Sequence, residues 1–212
     1  MKKFLFLGDT HGDLDFVERA AMIAAEQDAT IIQLGDWGFV WPGSNQLAAL
    51  DLVLVRAGER YAKPPVQMRF IDGNHDWHDR LEDLSFAAAM SSDRPHNQGV
   101  YLSDNVIYQM RGTIYEDEDG TRFLFCGGAP SIDRWHRTEG KSWWPTETIT
   151  EEQYQAVMAR EGHVDVLVTH DAPGFPPGYG PKGDPDFVAK GFRSMEMFFF
   201  FLFVDKRFLH VH

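Results

Sequence analysis

The chain has 212 residues, 43% hydrophobic and 14% aromatic, enough for one sizeable core and too apolar for a disordered or coiled-coil protein. With 32 acidic against 20 basic residues, the formal charge of −12 opposes broad binding to nucleic acid or an anionic membrane unless a cation intervenes. The one cysteine, Cys126, excludes an internal disulfide and fits a reducing compartment. The chain opens on Met1-Lys2-Lys3 and a short apolar run, Phe4 to Leu7, that meets Gly8-Asp9 too early for a signal-peptide core. A first strand and a cytoplasmic protein are expected. The longest apolar run, Met197 to Val204, is far below membrane-spanning length.

After the first strand, Leu14, Val17, Ala20, Ala21 and Ala24 recur at helical spacing, with Asp15 and Glu18 placed for a capping box. Ile31 to Leu34 reads as a second strand, Gln46 to Tyr61 as a second helix and Val66 to Ile71 as a third strand, the signature of a βαβ sheet. The middle of the chain is β-rich in short segments, 99–103, 105–110, 112–116 and 121–127, with Asp119-Gly120 marking a hairpin turn. A long loop from Gly127 to Thr148, crowded with Trp135, His136, Trp143 and Trp144, has the length of a functional loop. A helix is expected over 150–162 with Thr150 as its cap, then a strand from Val164 to Val168. The Pro/Gly-rich stretch Pro173 to Pro185 leads to a last helix near 186–204 and a final strand, Phe208 to His212.

Four of these strands end abruptly in polar residues: Asp9 and His11, Asp36, Asn74 with His75 and Asp76, and His170. Ligands of an open α/β sheet bind beyond the carboxyl ends of its strands. Carboxylate, imidazole and amide oxygen together suit a first-row divalent ion such as Mn, Fe or Zn, whereas carboxylates alone would suit Mg or Ca. Glycines at 8, 35 and 73 allow a sharp exit from each strand and a close backbone approach. Singly, each of these residues is as well explained as a turn former. Jointly, they favour a metal site.

In order, Asp9-Thr10-His11-Gly12, Gly35-Asp36, Gly73-Asn74-His75-Asp76 and Thr169-His170 resemble the motifs D-x-H, G-D, G-N-H-D/E and H of the calcineurin-like metallophosphoesterases, and the segment Gly127 to Trp144 is similar to loops in small bacterial and phage members. The resemblance implies an α/β fold, a four-layer α/β/β/α sandwich of two mixed sheets flanked by helices, as a single domain over 1–212. It implies two divalent metal ions, with Mn favoured. Asp9 and His11 would ligate the first, Asp36 would bridge both, and Asn74 and His170 would ligate the second. His75 would face the substrate, with Asp76 as its orienting partner. The implied activity is hydrolysis of a phosphomonoester or phosphodiester by metal-bound hydroxide, as a phosphatase or phosphodiesterase. A non-catalytic metal-binding or interaction protein and a nuclease are the rivals, and the missing basic patch argues against tight nucleic-acid binding.

Of the remaining polar residues, Arg134 in the long loop could reach a substrate phosphate, or equally pair with Asp133. Asp13 reads as a turn or cap residue; His78, His96 and His163 read as surface. Trp37, Trp41 and Trp77 flank the motif loops and are expected to pack beneath them. Cys126 reads as a buried strand residue rather than a nucleophile. The family pattern closes on G-H-x-H, whereas this chain reads Leu209-His210-Val211-His212 without the glycine. Either His210 and His212 replace the closing pair, or Phe208 to His212 is the strand before it. The second reading is preferred, and the expectation is a chain that stops short of its last two ligands.

Overall fold

The computed structural model describes residues 2–41, 46–91, 99–159 and 162–171. His96, the expected last helix and strand, and with them His210 and His212, lie outside the described residues.

Strand β1 (Lys3–Leu7) pairs in parallel with β2 (Ala29–Gln33), and β2 with β3 (Met68–Phe70). The register is continuous, Phe6 beside Ile32 and Ile32 beside Arg69. The chain then makes β4 (Val100–Tyr101) and β5 (Val106–Tyr108); β5 lies parallel to β3, and β4 closes the edge antiparallel to β5. A second sheet holds β6 (Ile114–Glu116), β7 (Arg122–Cys126) and β8 (Val166–Thr169), with β6 antiparallel and β8 parallel to β7.

Helix α1 (Leu14–Gln27) joins β1 to β2 and buries Val17, Ala20, Ala21, Ala24 and Ala25 on one face. Its cap is Asp13, whose carboxylate accepts from Phe16 N at 2.9 Å, so the expected start at Asp15 and Glu18 is corrected by two residues. Helix α2 (Gln46–Arg60) joins β2 to β3 as expected. Helix α3 (His78–Ser91) was not expected: Phe86 and Met90 on it are exposed, so its apolar residues do not describe one buried stripe. Helix α4 (Glu151–Met158) starts on a full capping box between Thr150 and Gln153.

Side chains alternate between the two faces of each strand, and this sorts the core into three layers. Ile31, Met68 and Phe70 face α1 and α2 together with Leu50, Leu54 and Val17. Ile32, Ile71, Phe123, Phe125 and Val168 fill the space between the sheets. Leu124, Cys126 and Leu167 face away from it, against Tyr154 and Val157 of α4. The fold is thus two mixed sheets, face to face, flanked by helices. Trp37, fully buried, stacks on Phe70 at 3.9 Å, which anchors the loop after β2 to the first layer. No helix among the described residues is long and apolar enough to cross a membrane.

Candidate metal centre

The loops after β1, β2, β3 and β8 meet at one end of the two sheets, so His170 arrives from the second sheet rather than from the edge of the first. Gln33, fully buried at the end of β2, ties two of them: its Nε2 donates to Gly8 O at 3.2 Å and to Gly35 O, and its Oε1 accepts from Gly35 N at 3.1 Å. His11 and Asp36 both hold left-handed backbone conformations, φ 44° and 52°, uncommon for residues with a Cβ. At Gly35 an added Cβ would meet the His170 ring, and at Gly73 it would meet Asp36. Gly8 has open space around its Cβ position, so its expected role in close approach is corrected.

Asp9, His11 and Asp36 bring one ligand atom each to within 4.8 Å of one another. His11 Nε2 stands 3.8 Å from Asp9 Oδ2 and 3.8 Å from Asp36 Oδ2. The other Asp36 oxygen, Oδ1, accepts from His75 N at 2.7 Å and lies 3.4 Å from His170 Nε2. His170 Nδ1 is 2.8 Å from Leu34 O, and a carbonyl only accepts, so Nδ1 carries the hydrogen. With Nδ1 turned to Leu34 O, Nε2 is the ring atom that faces Asp36 Oδ1 and, at 3.2 Å, Asn74 Oδ1. Three atoms able to ligate a metal converge there. This is the chemistry of a cation site, and the donor set of carboxylates, imidazoles and one amide fits a divalent first-row metal.

His75 is exposed at the mouth of this cluster, its ring edge-on to His11 at 5.5 Å. Its ring meets Arg137, whose Nη2 is 2.9 Å from Nδ1 and also contacts Nε2. Partial burial lowers the His75 pKa, the Asp36 charge opposes this, and the Arg137 guanidinium lowers it further; the net direction is down. Asp76 is corrected as the partner of His75. Fully buried, its carboxylate turns to three backbone donors, Trp37 N at 3.2 Å, Gly38 N at 2.9 Å and Gly73 N at 2.8 Å. Burial pushes that carboxyl up to about 6 in spite of those bonds.

Arg134 is exposed and lies over the Trp143 ring at 3.9 Å. The Asp133 pairing, one of the two readings of Arg134, is made by Arg137, which is clamped to Asp133 by Nε at 3.0 Å and Nη2 at 2.9 Å and reaches Asn74 O at 3.2 Å. Trp41 stacks on Trp77 at 6.1 Å, and Trp143 and Trp144 are buried, while Trp135 is 74% exposed. His78 is buried rather than on the surface, its Nε2 3.0 Å from Gly73 O; His163 is exposed and pairs with Asp165 at 2.8 Å. Cys126 is buried on β7 and burial pushes its thiol up to about 12, so it is no nucleophile.

Beneath the Asn74 loop, Asp72 accepts from Tyr108 Oη at 3.0 Å and from Arg111 Nη2 at 2.6 Å. Burial would raise the Asp72 pKa, but the Arg111 guanidinium holds it below the usual range. A cavity of about 610 Å³ lies along this pair and His78, and none of the candidate ligands lines it. Asn74 Nδ2 donates to Ser131 Oγ at 3.0 Å, and Ser131 Oγ donates to buried Glu147 at 2.8 Å. Gln33, Arg137, Ser131 and Glu147 carry no motif that marks them in the sequence; only Arg137, four residues after Asp133, has a spacing that suggests its ion pair.

The model of a family described as calcineurin-like phosphoesterase matches residues 2–199 of the chain. No curated protein matches it.

Proposed function

Since the chain belongs to the calcineurin-like phosphoesterase family, we propose that it hydrolyses a phosphomonoester or phosphodiester with two divalent cations, of the first-row type that its donors suit, with manganese the one favoured. The observation that carries this reading is the division of Asp36, whose Oδ2 faces His11 while its Oδ1 faces His170. Asp9, His11 and Asp36 would hold one ion, and Asp36, Asn74 and His170 the other. When bound, such ions act as Lewis acids and make water nucleophilic near neutral pH.

The rest is work for the chain's own groups. Backbone turns with left-handed His11 and Asp36 fix the carboxylates before any substrate arrives. The Leu34 carbonyl keeps the His170 hydrogen on Nδ1, so Nε2 stays available. His75 stands at the mouth of the site, where its ring, once released from the Arg137 guanidinium that donates to it, would offer an N–H to a phosphoryl or leaving-group oxygen as charge builds there. Arg137, its charge paired with Asp133, holds that ring at the mouth of the site.

Hydrolysis of 4-nitrophenyl phosphate and of its bis-ester, with and without added Mn, tests the proposal. Metal-dependent turnover that falls roughly 100-fold or more in His75→Ala is expected, and the ratio of the two rates separates monoesterase from diesterase. Metal binding without turnover of either ester would overturn it in favour of a binding protein.

A further inference from the structure

The amide of Asn74 has two ends of nearly equal shape, and only its oxygen can serve as a metal ligand. Something must decide which end faces His170. Ser131 sits on the far side of that amide, with its Oγ 3.0 Å from Asn74 Nδ2. A hydroxyl has one hydrogen, and Ser131 spends it on Glu147 Oε2 at 2.8 Å. Glu147 Oε1 meanwhile accepts from Ser131 N at 2.7 Å. Glu147 takes both Ser131 hydrogens, the N–H on Oε1 and the O–H on Oε2, so the Ser131 oxygen is left as an acceptor toward Asn74. Only the NH₂ end of Asn74 can satisfy it, which turns Oδ1 to His170 Nε2 at 3.2 Å.

Glu147 is well placed to hold this polarity. It is 3% exposed at the end of the turn Pro145–Glu147, and its own carbonyl accepts from Arg111 Nη2 at 2.9 Å. Arg111 in turn is fastened to Asp72, two residues before Asn74. The long loop and the Asn74 loop are thereby fixed to each other at both ends of the relay.

We propose that Glu147 and Ser131 are positioning residues that set the direction of the Asn74 amide and so the affinity of the ion it shares with His170. The inference rests on Asn74 being a metal ligand, as under the proposed function. Glu147→Gln probes it with almost no change of shape. A carboxamide can keep accepting from Ser131 N through its oxygen while its NH₂ donates to Ser131 Oγ. The Ser131 hydrogen is then free to face Asn74, which draws Oδ1 away from the metal.

The test is Mn²⁺ titration by calorimetry of the full chain, with thermal melting of each variant alongside. Glu147→Gln and Ser131→Ala are expected to weaken one binding step by about 10–100-fold, the usual loss when an outer hydrogen-bond partner of a ligand is removed. The decisive arm is the Asn74→Asp background, where the ligand has two equivalent oxygens and no end to choose. There Glu147→Gln is expected to leave the affinity unchanged or to raise it, because the freed Ser131 hydrogen now meets a carboxylate. Equal weakening by Glu147→Gln in both backgrounds would show a merely structural effect and overturn the proposal, as would unaltered affinity in both single variants. A wild-type chain that binds no Mn²⁺ would instead overturn the proposed function. Should Glu147→Gln fail to fold, Ser131→Ala alone and in the Asn74→Asp background gives the same comparison.

Discussion

Asp36 carries most of the chemistry that a single side chain supplies here, because its two oxygens look at different partners and its main chain is held in a conformation few residues adopt. Its sequence signal, a Gly-Asp at a strand end, shows where it sits but not how its oxygens divide, since that depends on His170, which follows in the chain only after strands β3 to β8 and helices α2 to α4. Asp76 shows the opposite case. The sequence places it next to His75, yet the turn after β3 rotates the two apart, and the carboxylate binds three backbone N–H groups instead. Asp76→Ala should therefore leave buried donors unmet and cost about 2–4 kcal/mol in urea unfolding, with Asp76→Asn intermediate because its oxygen can still accept. Cys126 is inert on two grounds, burial and a thiol raised to about 12. An aromatic disulfide reagent at pH 8 is expected to leave it unmodified in the folded chain and to label it promptly in denaturant; rapid labelling of native protein would mean that β7 is not the buried strand described.

At the scale of elements, the ends of strands matter more than their middles. Phe123 and Phe125 face one way and Leu124 and Cys126 the other because side chains alternate along a strand, but all four are apolar, so the sequence alone marks the strand and not its faces. Helices α1, α2 and α4 are legible from periodicity and capping residues. Helix α3 is not, because it lies with a weak apolar stripe against the first layer and leaves Phe86 and Met90 outside. Glycines at the strand exits look equivalent in sequence and are not. Gly73→Ala would push its new methyl into Asp36, and is expected to weaken Mn²⁺ binding by roughly tenfold or more. Gly8→Ala meets open space and should change neither affinity nor melting temperature appreciably. Comparable losses in both would show that the exits act as flexible joints rather than as close contacts. Thr150→Ala, which removes the capping box of α4, is expected to cost about 1 kcal/mol without touching metal affinity.

For the molecule as a whole, the layering explains why the site could be foreseen only in part. Ligand identities lie in local motifs, but the second sheet delivers His170, and the long loop delivers Arg137, Ser131 and Glu147, by contacts that span 16 to 136 residues. Such pairings depend on how two sheets stack, and no local pattern encodes that. The formal charge of −12 also changes meaning at this scale. Part of it, at Asp9 and Asp36, gathers where cations would sit, so metal should stabilise the fold as well as equip it. At a free Mn²⁺ concentration of about 100 times Kd the gain expected from binding is about 2.7 kcal/mol per site, read as a rise in melting temperature that chelator reverses. At the centre of the molecule's chemistry, two ions are expected to share Asp36. Electron paramagnetic resonance of the chain titrated with Mn²⁺ tests this most directly. Two ions per chain with a spin-coupled spectrum are predicted, collapsing to a weakly bound uncoupled signal in Asp36→Asn; a wild-type chain that saturates with one uncoupled ion would contradict it.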